Sequence, residues 1–292
     1  MPKHGLLLFS SLAFLTASAP AQPYHGIAAG NVKTVAFQSE SLGQRRMFNI
    51  LLPADYDTST RRYPTLYLLH GYGDDHQTWA LRTNLSHYAT RYHLIVVMPD
   101  GSKSFYVNSA VDPQAKFEDY IVKDLVAYVD ANYRTIPLPK ARAVAGLSMG
   151  GYGAAFLGLK HWKQYAAFGS FSGAVGIAHE MPRTPANAEA AKRTREMQAV
   201  FGAPGSADRV ARDPFALLEK VPVTEMPMIY VACGGEDFLV AQNRAFVAML
   251  AEKKIPYEYR EVSPRIHSWE FWDEQIRVFL GMIMQLAGFQ QH

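Results

Sequence analysis

The chain has 292 residues, of which 49% are hydrophobic, 12% aromatic and 19% charged; this supports a sizeable core and excludes a largely disordered polymer. A total of 29 Lys and Arg against 26 Asp and Glu leaves a net charge of +3, with no long basic block and no zinc-finger spacing, so nucleic acid is not an expected partner.

Residues 1–21 differ in kind from the rest. Lys3 and His4 form a short basic start, residues 5–17 are almost wholly apolar or small, and Ala19-Pro20-Ala21 offers small residues ahead of a cut before Gln22. The expectation is an export signal, a secreted or periplasmic protein, and no membrane span once the signal is removed. Residues 22–31 read as a flexible leader and residues 32–292 as one catalytic domain. Cys233 is the sole cysteine, which precludes an intrachain disulfide; set in an apolar run, it reads as a buried thiol and not as a nucleophile.

Residues 32–37 and 45–53 read as two strands joined through a Gly43 turn, an antiparallel pair at a sheet edge. Residues 63–71 are nearly continuously apolar, as in a strand covered on both faces. They end in His70-Gly71-Tyr72-Gly73, where a glycine-bracketed turn can leave N–H groups exposed. Residues 79–92 are expected as a helix and 94–99 as a second buried strand, leaving through Asp100-Gly101 into a loop at 103–114. In that loop Phe105, Tyr106 and Asn108 are candidate pocket-wall residues. Phe117, Tyr120, Ile121, Leu125, Tyr128 and Val129 recur at helical spacing and read as core contacts.

Next comes an apolar run, residues 141–147, that passes into Gly146-Leu147-Ser148-Met149-Gly150 and then a small-residue helix at 150–161. A serine at an abrupt strand-to-helix turn is held out of the fold, beside the orphan N–H groups of the helix start. Residues 168–175 form a short strand. Residues 179–221 are too sparsely apolar for a core of their own and read as a small helical insertion at the sheet edge. The sheet resumes over 223–233, leaves through Gly234-Gly235-Glu236-Asp237-Phe238, and is followed by a helix at 239–253 and a strand at 257–261. A loop at 264–272 sets His267 among aromatics, Trp269 and Trp272 included, and an amphipathic helix at 273–289 closes the chain.

Three strand ends therefore deliver Ser148, Asp237 and His267 in the order nucleophile, acid, base. Such a set attacks an acyl carbon, with oxyanion donors from the N–H of Met149 and one in the Gly71-Tyr72 turn. Glu236 and Asp213 are rival acids, and His70, His161 and His179 rival bases; none has the position of the chosen pair. No metal-ligand or nucleotide-binding pattern occurs, so neither metal nor cofactor is expected.

The segments Leu69-His-Gly-Tyr-Gly73, Val97-Met-Pro-Asp-Gly101, Gly146-Leu-Ser-Met-Gly-Gly151, Phe171-Ser-Gly173, Cys233-Gly-Gly-Glu-Asp237 and His267-Ser-Trp269 together resemble the esterase D family of α/β-hydrolases. This family includes tributyrin esterases, feruloyl esterases, S-formylglutathione hydrolases and mycolyltransferases. The resemblance implies a mostly parallel central sheet with helices on both faces, a Ser148–Asp237–His267 triad, oxyanion donors at Tyr72 and Met149, and a place near the site for Ser172 and Gly173. It implies a serine carboxylesterase for short-chain or aryl esters, acetyl and feruloyl among them, on small molecules or polysaccharides. Acyl transfer by the same acyl-enzyme and a non-catalytic envelope- or carbohydrate-binding relative are the alternatives. Oligomeric state is not readable.

Overall fold

The computed structural model describes residues 32–179 and 187–290. The expected signal and leader, and residues 180–186 of the expected insertion, lie outside the described residues.

In chain order the elements are β1 (Val32–Ser39), β2 (Gln44–Leu51), β3 (Thr65–Leu69), α1 (Thr78–Arg82), α2 (Leu85–Ala89) and β4 (Ile95–Pro99). Then come α3 (Phe117–Asp119), a π-helical segment (Tyr120–Leu125), α4 (Val126–Asn132), β5 (Arg142–Leu147), α5 (Met149–Lys160) and β6 (Ala167–Phe171). The chain ends with α6 (Ala188–Phe201), α7 (Ala207–Val210), α8 (Pro214–Leu218), β7 (Met228–Gly234), α9 (Val240–Glu252), β8 (Glu258–Val262) and α10 (Trp269–Ile283). The strands form one eight-stranded sheet in the order β1-β2-β4-β3-β5-β6-β7-β8. β1–β2 and β2–β4 are antiparallel and every other pair is parallel.

Both sheet faces are covered, which is why the inner strands read as unbroken apolar runs. Successive β3 residues point to opposite faces: Tyr67 and Leu69 join a core with Phe156, Ile121 and Phe246, while Leu66 and Leu68 join one with Trp79, Phe271 and Phe279. The first core lies under α5, the π segment, α4 and α9; the second lies under α1, α2 and α10. Among the described residues no helix is long and apolar enough to cross a membrane.

Several boundaries differ from the sequence reading: the strand expected over 223–233 begins only at Met228, after a 3-10 turn at Val223–Glu225, and the helix expected over 273–289 ends at Ile283. The single helix expected over 79–92 is two short helices, because Thr83 is extended and its hydroxyl donates to the Trp79 carbonyl at 2.6 Å, while Asp273 takes the Asn84 N–H at 2.7 Å. The final helix begins at Trp269, four residues early, with extended Ser268 before it. The strand expected over 168–175 stops at Phe171, because Ser172 turns to φ +45°. The insertion is anchored to the rest of the fold: Phe201 packs edge-on against Tyr152 and Phe105, and Ala110 N–H donates to the Val200 carbonyl at 3.1 Å.

Candidate active site

β5 carries the chain into Ser148 at φ +51°, ψ −113°, and α5 starts at the next residue. So sharp a reversal brings backbone against backbone. A Cβ at Gly150 would sit 2.4 Å from the Leu69 carbonyl oxygen, and one at Gly146 would sit 2.5 Å from the Gly150 carbonyl oxygen, so both positions require glycine. The strained turn is held by three bonds: Ser148 N–H donates to the Phe171 carbonyl at 2.9 Å, and the Ser148 carbonyl accepts from Tyr152 at 3.0 Å and Ala174 at 3.1 Å.

β7 and β8 bring up the other two groups. The loops after them are stitched together by Gly235 N–H to the Val262 carbonyl and Glu236 N–H to the Arg265 carbonyl, each at 3.0 Å. This seats His267 between Asp237 and Ser148, with Nδ1 at 2.9 Å from Asp237 Oδ2 and Nε2 at 3.0 Å from Ser148 Oγ. Asp237 is buried, with a side chain 0% exposed, while 19% of the His267 side chain reaches solvent. Burial alone would raise the Asp237 carboxyl pKa. Hydrogen bonding from His267 and from the Leu239 N–H, at 2.9 Å to Oδ1, outweighs burial, so the group lies below its ordinary value and stays ionised. Nδ1 therefore carries the proton given to Asp237, and Nε2 is left to accept from the serine hydroxyl.

The Gly71-Tyr72 turn lies against the serine: a Cβ at Gly71 would be 3.7 Å from Ser148 Cβ. No hydrogen bond among the described residues takes the N–H of Tyr72 or of Met149, the first residue of α5. His70 fixes this turn. Its Nε2 accepts the Gly101 N–H at 2.8 Å, so Nδ1 is the protonated nitrogen and donates to the Gly71 carbonyl at 2.8 Å. The ring spans the ends of β3 and β4.

The rival groups are engaged elsewhere. His161 contacts Glu118 at 2.7 Å; His179 contacts Asp213 at 2.8 Å, and Asp213 also caps α8 by accepting the Phe215 N–H. Glu236 is exposed. Cys233, buried at the end of β7, has its thiol pushed up to about 12, first by burial and then by the Asp237 charge. At neutral pH it is an inert thiol.

The five candidate pocket residues separate. Tyr106 is not a wall: it is 0% exposed, its hydroxyl donates to the His70 carbonyl at 3.1 Å, and its ring fills the space beside Gly101 and Gly153. Phe105 is also buried, between Tyr72, Tyr152 and Phe201. Positive φ at both residues turns these rings inward from the loop. Asn108 is a brace: its side-chain oxygen accepts the Asp119 N–H at 3.1 Å and its carbonyl accepts from Arg212 at 2.9 Å. Trp272 packs edge-on against the His267 ring at 4.8 Å, and Trp269 stands behind it against Trp272 and Trp79. The sequence reading passed over Phe238, 74% exposed, whose ring lies 4.6 Å from that of His267. Its place one residue after the acid, at the tip of a glycine-rich loop, was the available signal.

A doubly covered, mostly parallel sheet with a strained serine between its fifth strand and the following helix defines the α/β-hydrolase class. Within it the chain belongs to the family described as "Putative esterase", which matches residues 39–282. It is 30% identical over 258 residues to an acetyl esterase of Caldicellulosiruptor saccharolyticus, covering 84% of this chain and 95% of that protein. Among solved structures it is similar to FphF, a fluorophosphonate-binding serine hydrolase of Staphylococcus aureus, with TM-score 0.73, 26% identity, and 86% and 97% of the two chains covered. A ferulic acid esterase superposes with TM-score 0.70 at 25% identity, covering 87% of this chain and 98% of that one. The protein is a carboxylic-ester hydrolase.

Proposed function

We propose that Ser148, His267 and Asp237 are the catalytic triad of a serine carboxylesterase, acting on short-chain or aryl esters through an acyl-enzyme. The observation that carries this is the run of contacts from Ser148 Oγ to His267 Nε2 at 3.0 Å and from Nδ1 to Asp237 at 2.9 Å, built on the strained serine turn. Ser148 Oγ bonds to the acyl carbon as its proton passes to His267 Nε2, and the carbonyl electron pair moves onto oxygen. The N–H groups of Tyr72 and Met149 receive that oxyanion, and each such donor is worth about 3 kcal/mol in the transition state. The intermediate collapses, the bond to the alcohol oxygen breaks, and His267 returns the proton to the departing alcohol. Water then repeats the cycle on the acyl-enzyme, releasing the acid and restoring the serine.

Similarity to an acetyl esterase favours small acyl groups, and similarity to a ferulic acid esterase keeps aryl acyl groups in the range. The basic-then-apolar character of residues 1–21 supports export to a secreted or periplasmic site. The test is hydrolysis of p-nitrophenyl acetate through decanoate and of methyl ferulate, run beside Ser148→Ala. The expected result is turnover falling with acyl length and lost in the variant by a factor of at least about 10⁴. Undiminished turnover in Ser148→Ala would overturn the proposal.

A further inference from the structure

The His267 ring lies between two aromatics of opposite exposure. Trp272, 5% exposed, packs edge-on at 87° from the protein side; Phe238, 74% exposed, lies against the ring at 47° from the solvent side. With Trp272 and the Asp237 hydrogen bond already steadying the imidazole, Phe238 leaves most of its ring in water beside the reacting atoms. It is backbone-fixed, not a loose tip: it sits in a turn closed by Val240 N–H donating to the Asp237 carbonyl at 3.0 Å, with Leu239 N–H donating to the Asp237 carboxylate at 2.9 Å. Ile266, 54% exposed, stands on the neighbouring loop, which is stitched to the Phe238 loop by Glu236. What the Phe238 loop places on the functional imidazole is thus an exposed aromatic face, held by the backbone.

The chemistry of the step says which half of the ester meets this face. In the tetrahedral intermediate the carbonyl oxygen faces the Tyr72 and Met149 side, and the alcohol oxygen faces His267 Nε2, from which it takes its proton. A ring lying on the imidazole is therefore on the alcohol side. We propose that Phe238 is the specificity-determining surface for the alcohol half of the substrate. It selects alcohols that present a flat apolar face, either an aryl ring or the C–H face of a sugar ring. This inference rests on the triad proposed above.

The experiment holds the acyl group constant and varies the alcohol: phenyl acetate, a monoacetylated methyl xyloside and ethyl acetate, with wild type, Phe238→Ala, Phe238→Tyr and Ser148→Ala. All three esters give the same acetyl-enzyme, so differences in kcat/KM report the alcohol. Phe238→Ala is expected to lower the ratio of kcat/KM for at least one ring alcohol to that for ethyl acetate by about tenfold, the worth of one good aromatic contact. Phe238→Tyr is expected to keep the wild-type ratio. The ring whose ratio falls identifies the source, aryl or sugar. Ratios unchanged for both ring alcohols, or equal losses on all three esters, would overturn the inference. Turnover that survives Ser148→Ala would instead overturn the triad, so the two failures are distinguishable.

Discussion

His70 does its work at the scale of one ring. It joins the Gly71 carbonyl to the Gly101 N–H and so sets the direction of the turn that carries Tyr72. His70→Ala would leave two backbone groups unpaired in a buried place, a cost of about 1–3 kcal/mol each. Because the turn carries one of the proposed oxyanion donors, whose bond would form only in the transition state, we expect kcat to fall about 10–100-fold with KM little changed. Steady-state kinetics on p-nitrophenyl acetate check this, and a rise in KM with unchanged kcat would contradict it. At this scale the sequence was informative where position alone decides. Ser148, Asp237 and His267 follow the ends of parallel strands, and all such ends lie along one edge of a sheet. It was uninformative where backbone angle decides. Phe105 and Tyr106 are aromatic residues in a polar loop, and only their positive φ sends the rings into the core. Phe238 is aromatic in a similar loop and points outward, a difference that composition does not encode.

Among the elements, α5 lies closely against the sheet. Its residues from Met149 to Leu159 are all buried, so it has no polar face and its amino-acid pattern shows small size in place of amphipathic periodicity. Gly150→Ala would drive a methyl to 2.4 Å from the Leu69 carbonyl, and backbone has to move to admit it. The expected cost is about 1–3 kcal/mol of stability, with a larger loss of activity because the displaced atoms belong to the turn between β3 and Tyr72. Thermal denaturation and turnover measured on the same sample decide this; wild-type activity would contradict it. The small-residue run was legible as a closely packed helix for this reason. The division between α1 and α2 was not, since it depends on Asp273, 189 residues distant from Asn84, accepting the Asn84 N–H.

Across the whole molecule, carboxylates tie neighbouring elements together, Glu118 buried and Asp100 partly so. Glu118 on α3 accepts from Lys160 at 2.8 Å and contacts His161 at 2.7 Å beyond the end of α5; Asp100 at the end of β4 pairs with Arg46 of β2 at 3.2 Å. For both groups burial raises the carboxyl pKa, and the surrounding hydrogen bonds and positive charges more than offset it, leaving it below the ordinary value. A carboxyl with a depressed folded pKa binds its proton more weakly folded than unfolded. Its stabilisation is therefore present above about pH 4–4.5 and is lost as pH falls through the folded value. We expect the midpoint of thermal unfolding to decline steeply below about pH 4.5. Glu118→Gln should be less stable than wild type at pH 7, with the two curves converging in acid. A constant gap between them from pH 7 to 3 would contradict this. The layered architecture was legible from the alternation of doubly buried strands and helices. The anchoring of the insertion was not, because it rests on contacts between residues far apart in the chain: Phe201 with Phe105 and Tyr152, the Val200 carbonyl with Ala110, and Arg212 with Asn108.

The proposed nucleophile is Ser148, at the head of α5. Its central test is covalent: treat the protein with a fluorophosphonate, follow hydrolysis of p-nitrophenyl acetate, and map the adduct by mass spectrometry. The proposed triad predicts one adduct on Ser148, with hydrolysis lost in proportion to labelling. Hydrolysis that persists with Ser148 fully labelled, or loss of activity with the adduct on another residue, would contradict it.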